Sequence, residues 1–320
     1  MSSTVQVLLE TLAPVFFVLL LGYYAGRRRR LGAGDTHALT VTLMNYALPC
    51  SLFLGVARTP PAVLRSQIPL LLVLATSMLA IYVLAYFVAR RFFGSTPSKA
   101  AVQALTVSFA NNVAVGLPLL QSFYGNVGLL AVAAGIVAGA LIISPITLVL
   151  LECHASTDTE LRPTVRQRLG PALLTAAKRP IILAPLLALL VPITGAHVPQ
   201  VCIASMDLIG KATVGLALFL TGLILSAQRI RFQGEVLLGI LFKNLLQPAL
   251  VALMVIVFRI HGPIAAEAFL LAAVPAGFFG TVFGARYGVV SEEASSTLLL
   301  STALSVATLP LAVELSKHFL

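Results

Sequence analysis

The stretch Phe109–Gly125, with the sequence FANNVAVGLPLLQSFYG, lies inside an apolar segment that is long enough to span a bilayer. It carries two adjacent amides, Asn111 and Asn112, and then Pro118, where an ordinary spanning helix would carry leucines. Because Pro118 has no N–H and its ring clashes with the carbonyl of Ala114, the stretch predicts a broken helix. Backbone groups freed at membrane depth are tolerated only inside protein or beside a watery cavity. The break therefore indicates a functional position.

The position of the predicted break also determines which end of the following half-helix faces it. A half-helix that begins near Gly116 would point unpaired N–H groups and the positive end of its dipole at the break, where an anion could be held. The sequence therefore predicts a substrate site that includes Asn111, Asn112 and Gly116. The two amides could instead cap the half-helices, and both roles stay open at this stage.

The composition is that of a membrane protein. The 320 residues are 59% hydrophobic and 10% charged, with a mean hydropathy of +1.00. The net charge of +10 sits at predicted helix ends without a basic stripe and interleaved aromatics, so no nucleic-acid partner is predicted. Three cysteines, Cys50, Cys153 and Cys202, share no metal-ligand spacing, so no metal site is predicted. The expected surrounding is the lipid bilayer.

Apolar windows of about twenty residues, separated by polar loops, predict spanning helices along the whole chain. Ten windows are found, at 5–25, 36–57, 68–89, 99–123, 127–151, 172–193, 200–226, 235–258, 264–287 and 293–316. The first is too long for the apolar region of a signal peptide and is predicted to be a spanning helix. The predicted all-α polytopic fold has a first five-helix unit at 1–151, a linker at 152–170 and a second five-helix unit at 171–320.

The basic residues predict the orientation. Fifteen of the 21 lysines and arginines fall on the side of the first loop and four on the opposite side. The positive-inside rule then makes the first loop and the 152–170 linker cytoplasmic, with both termini outward from the cytoplasmic membrane. The remaining two, Lys211 and Lys243, are predicted inside the membrane. Lys243 lies near the cytoplasmic end of its helix, and its side chain is expected to reach towards the headgroups.

The two halves of the chain resemble each other weakly. An offset of 163 sets Asn112 on Pro275, and an offset of 166 sets Pro49 on Gly215. Because five helices are an odd number, the second unit would be inverted relative to the first. This predicts that helices 4 and 9 are both broken and cross antiparallel, with Pro275 and Gly277 facing the amides. Chance similarity between leucine-rich segments is the alternative.

Six stretches carry a family resemblance: NYALPCSLFLGVA (45–57), NNVAVGLPLLQSFYG (111–125), ATVGLALFLTG (212–222), KNLLQP (243–248), VPAGFFGTVFGARYG (274–288) and LLLSTALSVATLP (298–310). They resemble the auxin efflux carrier family, and most of all its bacterial malonate-transporter-like members. The resemblance implies ten helices in two inverted repeats, a crossover of broken helices, and movement of small organic anions by alternating access. Gly215 stands where the family more often has proline, so a less kinked seventh helix is expected.

One pair of charges is predicted at membrane depth. Asp207 and Lys211 lie four residues apart on the seventh predicted helix. Lys211, with its repeat-mate Asn45, is a candidate for the positive charge that holds the substrate, and Asp207 is a candidate for coupling. The alternative is a pair that only neutralises itself. Coupling to protons, to sodium or to neither stays open.

The function predicted from these observations is a secondary transporter of a small organic anion, with a malonate-like dicarboxylate as the best single substrate. A passive anion channel is the second reading and a membrane-embedded enzyme the third. No metalloprotease, nucleophile-elbow, P-loop or dinucleotide motif is found, so neither catalysis nor a cofactor is predicted. Assembly as a homodimer is left open.

Overall fold

The computed structural model describes residues 3–155, 170–171, 174, 177–227 and 231–320. The described residues form helices and connecting turns, and no strand longer than a single antiparallel bridge is found among them. The all-α prediction is confirmed for this part of the chain. Most of the predicted 152–170 linker lies outside the described residues.

The described part of the chain contains seventeen α-helices. Their bounds are α1 Ser3–Arg27, α2 Ala33–Thr42, α3 Leu48–Ala57, α4 Pro61–Ser66, α5 Ile68–Phe92, α6 Pro97–Ser108, α7 Leu117–Ala138, α8 Ser144–Ala155, α9 Pro180–Ala188, α10 Leu190–Thr194, α11 Gln200–Gly210, α12 Thr213–Ser226, α13 Gly234–Leu241, α14 Gln247–Val257, α15 Pro263–Ala273, α16 Phe279–Arg286 and α17 Glu292–Ser316. A short 3₁₀ turn, Lys317–Phe319, follows α17.

In the described part of the chain, four wide π-helical turns join some of these helices, and each ends two residues before a proline. The turns are Leu43–Ala47 before Pro49, Asn112–Gly116 before Pro118, Gly139–Ile143 before Pro145, and Phe242–Leu246 before Pro248. A proline ring clashes with the carbonyl four residues earlier, and a widened turn moves that carbonyl away. At the first turn, for example, the Leu48 N–H donates to the carbonyl of Leu43, five residues back. The prolines therefore widen these helices without ending them.

Among the described residues, six helical segments are long and apolar enough to cross a membrane. They are Gly34–Ala57, Pro61–Phe92, Asn112–Leu151, Gln200–Ser226, Gly234–Val257 and Glu292–Phe319. Shorter apolar helices are Ala13–Arg27, Pro180–Thr194 and Pro263–Ala273. These segments describe a helical, multi-pass membrane protein. The inverted repeat remains a prediction.

The chain packs into two compact units. The first unit contains Met1–Ile68, Asn112–Ala134 and Lys178–Ala227, and the second contains Pro69–Asn111, Gly135–Ala177 and Gln228–Leu320. Each unit therefore draws on both halves of the sequence. This spatial division is of a different kind from the predicted division at 1–151 and 171–320, which it does not test.

In the first unit, α1 and α12 pack closely through glycines. A Cβ on Gly22 would meet the carbonyl oxygen of Phe219, and a Cβ on Gly222 would meet that of Leu19. Small residues let two membrane helices approach until their backbones touch. These two glycines therefore fix the α1–α12 contact.

In the second unit, α6 and α15 form the core. Every residue from Ala100 to Ser108 and from Ala265 to Ala273 is buried. A helix that is covered on all sides belongs to the interior of its unit. The nine residues of each helix that lead up to its break therefore lie in the interior of the second unit.

Candidate functional site

The fourth and ninth predicted spans are both interrupted, and their interruptions pair with each other in the second unit. Helix α6 ends at Ser108 and α15 ends at Ala273, and extended backbone follows each. The Asn111 N–H donates to the carbonyl of Pro275 at 2.9 Å, and Ala110 and Ala276 form an antiparallel bridge. Backbone groups released by the breaks thus satisfy one another inside the protein.

The position of the first break differs from the prediction. Asn112–Gly116 is already a π-helical turn, whereas the chain leaves helical geometry earlier, at 109–111. Pro118 lies in the first turn of α7, where it widens the preceding turn. The proline argument thus identified the broken span but placed the break a few residues too late.

Gly277 has a steric role in the pairing. Its N–H donates to the carbonyl of Thr106 at 3.2 Å, and a Cβ at this position would collide with the carbonyl oxygen of Phe109. Backbone can come this close only where there is no side chain. Pro275 and Gly277 therefore shape the second break.

Asn112 has the most unusual surroundings of the predicted site residues. Its side chain belongs to the first unit and is 1% exposed, yet neither its amide nitrogen nor its amide oxygen has a hydrogen-bond partner among the described residues. The hydroxyl of Thr213, in the same unit, is also buried without a partner. Buried polar groups without partners cost stability, and each one calls for an explanation such as a ligand.

A polar cavity of about 220 Å³ lies in the first unit. Two cations, one carboxylate and two amides line it. The lining residues are Ser51, Leu54, Gly55, Arg58, Gln121, Asn126, Leu129, Asp207, Gly210, Lys211 and Val214. This volume suits a ligand smaller than a drug-sized molecule.

Asp207 is shared between the two cations of this cavity. Lys211 Nζ lies 2.8 Å from Asp207 Oδ2, and Arg58 Nη1 lies 3.8 Å from Asp207 Oδ1. The side chains of Arg58, Asp207 and Lys211 are 46%, 34% and 78% exposed. Two positive charges face one negative charge, so the cluster carries one positive charge in excess and remains accessible. Such a cluster can bind an anion.

Asp207 and Lys211, whose roles as coupling residue and substrate counter-charge stay predictions, form an ion pair beside residues that the prediction left out. Arg58 follows α3 directly and was counted among the outward loop cations. Gln121 and Asn126 lie on either side of a kink at Gly125, whose φ of 59° needs a glycine. No local pattern connects these residues to Asp207, because the helices meet only in the fold.

The other predicted residues lie elsewhere. Asn45 lies in the Leu43–Ala47 turn and is exposed, and neither it nor Gly116 lines the cavity. Gly215 lies inside α12 with open space around its Cα, and the turn in this span falls at 211–212 instead. Pro49 lies in the first turn of α3.

Lys243 does not reach towards headgroups, so that expectation was wrong. The residue is 0% exposed, and its ammonium is held inside the second unit.

Among the described residues, no three His, Cys, Asp or Glu side chains come together to hold a metal ion.

The sequence comparisons identify the class of protein that this fold and these breaks define. The pattern of the family described as "Membrane transport protein" matches residues 7–313. The chain therefore belongs to this auxin efflux carrier-like family, as the resemblance indicated.

The individual relatives that match the chain share less than 30% of its residues. The chain is 28% identical to "Uncharacterized transporter YfdV" of Escherichia coli (strain K12) and of Shigella flexneri, over 96% of each chain. It is 27% identical to a Rhizobium meliloti (strain 1021) protein named "Putative malonate transporter", over 92% of this chain and 91% of that one. The names of these relatives describe transporters.

Proposed function

We propose that this protein is a secondary transporter that moves a small organic anion, such as a malonate-like dicarboxylate, by alternating access. Membership of a membrane transport family supports the general class. The proposal that the substrate is an anion rests on the cluster in which Arg58 and Lys211 share Asp207. The name of the Rhizobium meliloti relative favours malonate among the small anions.

The charge of the cluster explains why a dicarboxylate suits it. In the empty protein, one carboxylate serves two cations. A substrate with two carboxylates could give Arg58 and Lys211 one partner each, after Asp207 has moved away or taken up a proton. Because the Arg58 guanidinium lies 3.8 Å from Asp207, it is the looser contact and the easier one to exchange.

Asn112 is the second proposed substrate contact. Its amide can offer two donors and one acceptor, and the described residues use none of them. A carboxylate that reached Asn112 would supply the missing acceptor. We propose that the substrate meets the charged cavity and Asn112 at different stages of transport.

Substrate binding can be tested by thermal shift, because a ligand that binds only the native state raises the melting temperature. Purified protein is mixed with malonate, succinate, glutarate or acetate at equal ionic strength. We expect malonate to raise the melting temperature most and acetate least. Arg58→Gln and Lys211→Gln should each weaken malonate binding by about tenfold.

Arg65→Gln is the matched control. Arg65 is exposed on α4 in the same unit but does not line the cavity, so it tests the effect of lost positive charge alone. Equal weakening by Arg65→Gln and Arg58→Gln would show that the cavity is not the binding site. Binding without uptake into proteoliposomes would separate an anion-binding protein from a transporter.

We also propose the predicted membrane arrangement: inverted repeats at 1–151 and 171–320, and termini outside the cytoplasmic membrane. Single cysteines at Lys99 and His197, both exposed, test it in a background without the native cysteines. An impermeant thiol reagent added to intact cells should label position 197 and not position 99. The reverse labelling would overturn the orientation.

A further inference from the structure

The buried lysine of the second unit is held by oxygen atoms only. Lys243 Nζ donates to Gln247 Oε1 at 2.7 Å and to the carbonyl oxygen of Ala272 at 3.0 Å. No described carboxylate lies within ion-pair distance of it. A fully buried ammonium without a counter-ion is costly, and it keeps its proton only where nearby dipoles supply compensating negative charge.

The carbonyl of Ala272 is available because the ninth span breaks there. In an unbroken helix, it would accept from the N–H of Ala276. That N–H instead donates to the hydroxyl of Ser301 at 3.0 Å, and Ser301 in turn donates to Asn244 at 2.6 Å. The break thus leaves the Ala272 carbonyl without its helical donor, and the Lys243 ammonium donates to it instead.

Gln247 connects the ammonium to the other broken helix. Its Oε1 accepts from Lys243, and its Nε2 donates to the carbonyl of Ser108 at 3.0 Å. Ser108 is the last residue of α6. The carboxyl-terminal ends of α6 and α15 therefore meet around one positive charge, directly at α15 and through an amide at α6.

The partial negative charge of the two helix ends is similar in magnitude to the positive charge of the ammonium. Each carboxyl-terminal helix end is equivalent to roughly half a negative charge, so two of them offset about one positive charge. Carbonyl and amide oxygens that converge at unwound helix ends are also the ligands that coupling cations use in transporters. An ammonium and an alkali cation are both stabilised by the partial negative charge of such oxygens.

We infer that the Lys243 ammonium occupies a monovalent-cation site formed by the ends of α6 and α15, and that the chain thereby carries its own cation at the crossing. In the wild-type protein, the ammonium already occupies the two oxygens that a sodium ion would need at this point. Removal of the side chain frees these oxygens, and a small alkali cation can then bind them. This inference concerns cation binding alone and stands whether or not malonate is the substrate.

The test compares Lys243→Ala with Lys243→Met. The alanine variant leaves room beside the oxygens, whereas methionine removes the charge and fills the space. Melting temperatures are measured in NaCl, KCl and N-methyl-D-glucamine chloride at equal ionic strength. In the glucamine salt, we expect both variants to melt on the order of 5 °C below wild type.

Sodium or potassium should restore at least half of that loss in Lys243→Ala, and leave Lys243→Met and wild type unchanged. Gln247→Leu in the Lys243→Ala background should reduce the restoration, because it removes one oxygen ligand. Equal responses of the alanine and methionine variants to the three salts would overturn the inference. So would a methionine variant as stable as wild type, because the site would then not require a cation.

Discussion

Lys211 and Lys243 are the two lysines that the sequence places inside the membrane, and the structure gives them opposite surroundings. Lys211 lines an open cavity in the first unit, where its side chain is 78% exposed and pairs with the carboxylate of Asp207. Lys243 is enclosed in the second unit, where an amide and a backbone carbonyl hold it. Accessible charges can exchange partners, whereas an enclosed charge keeps the ones that the fold provides.

The difference separates two proposed functions of a cation that is predicted inside the membrane. In the cavity, Asp207 offsets one of the two positive charges, and the proposed anionic substrate would take its place. At the helix ends, the partners are the buried Gln247 side chain and the Ala272 carbonyl, and both are held in place by the fold. We therefore expect substitutions around Lys211 to change binding, and substitutions around Lys243 to change stability.

The largest expected effect comes from Gln247→Leu. This change removes an acceptor from a buried ammonium and the donor that serves Ser108, at a site closed to water. We expect a loss of about 3 kcal/mol in the free energy of unfolding. Gln121→Leu is the matched control, since it is the same replacement at an exposed position of the cavity. Similar melting temperatures for the two variants would remove the contrast between the sites.

Gly277→Ala tests the rigidity of the backbone pairing between the two breaks of the second unit. The added methyl would press on the carbonyls of Phe109 and Ala110, and backbone yields less readily than a flexible side chain. We expect a loss of about 2 kcal/mol. Gly215→Ala, on an open face of α12 beside the cavity, should instead gain about 0.5 kcal/mol from its higher helix propensity. Chemical denaturation of both variants measures the difference.

Asn112→Leu tests whether a buried polar group outside the cavity is kept for function. The described residues satisfy neither of its amide atoms, so an apolar side chain of similar size should raise the stability by about 1 kcal/mol. We expect the same variant to lose malonate uptake in proteoliposomes. A variant that is less stable than wild type would show that the amide serves the fold.

The sequence was most informative where one residue type has one steric consequence. Pro275 indicated the second break, and the apolar windows indicated an all-helical fold with long apolar helices. Pro118 was assigned a stronger effect than it has, because a π-helical turn accommodates the ring without ending the helix. The place of Arg58 in the cavity could not be predicted from the sequence. Its contact with Asp207 joins segments about 150 residues apart in the chain and depends on packing that no local pattern encodes. Lys243 was misjudged because position along a helix does not reveal which face is covered.

The smallest expected change in stability is that of Asp207→Asn. The half-buried carboxylate is partly screened by solvent, so the melting temperature should shift by no more than about 1 °C. Malonate binding should be preserved or tightened, because Arg58 and Lys211 no longer have an internal competitor. Binding should also weaken as ionic strength rises, since the contacts are accessible to salt.

The double variant Asp207→Asn with Lys211→Gln decides between the two roles of Lys211. If Lys211 only neutralises Asp207, each single change leaves one charge without its partner, and the double change should recover both binding and uptake. If Lys211 holds the substrate, the double variant should bind malonate as weakly as Lys211→Gln alone. Arg58 would then be the one cation left in the cavity, and a monocarboxylate should bind this variant nearly as well as malonate. Titration of the wild type, both single variants and the double variant with malonate and acetate therefore measures how many of the substrate's charges the cavity engages.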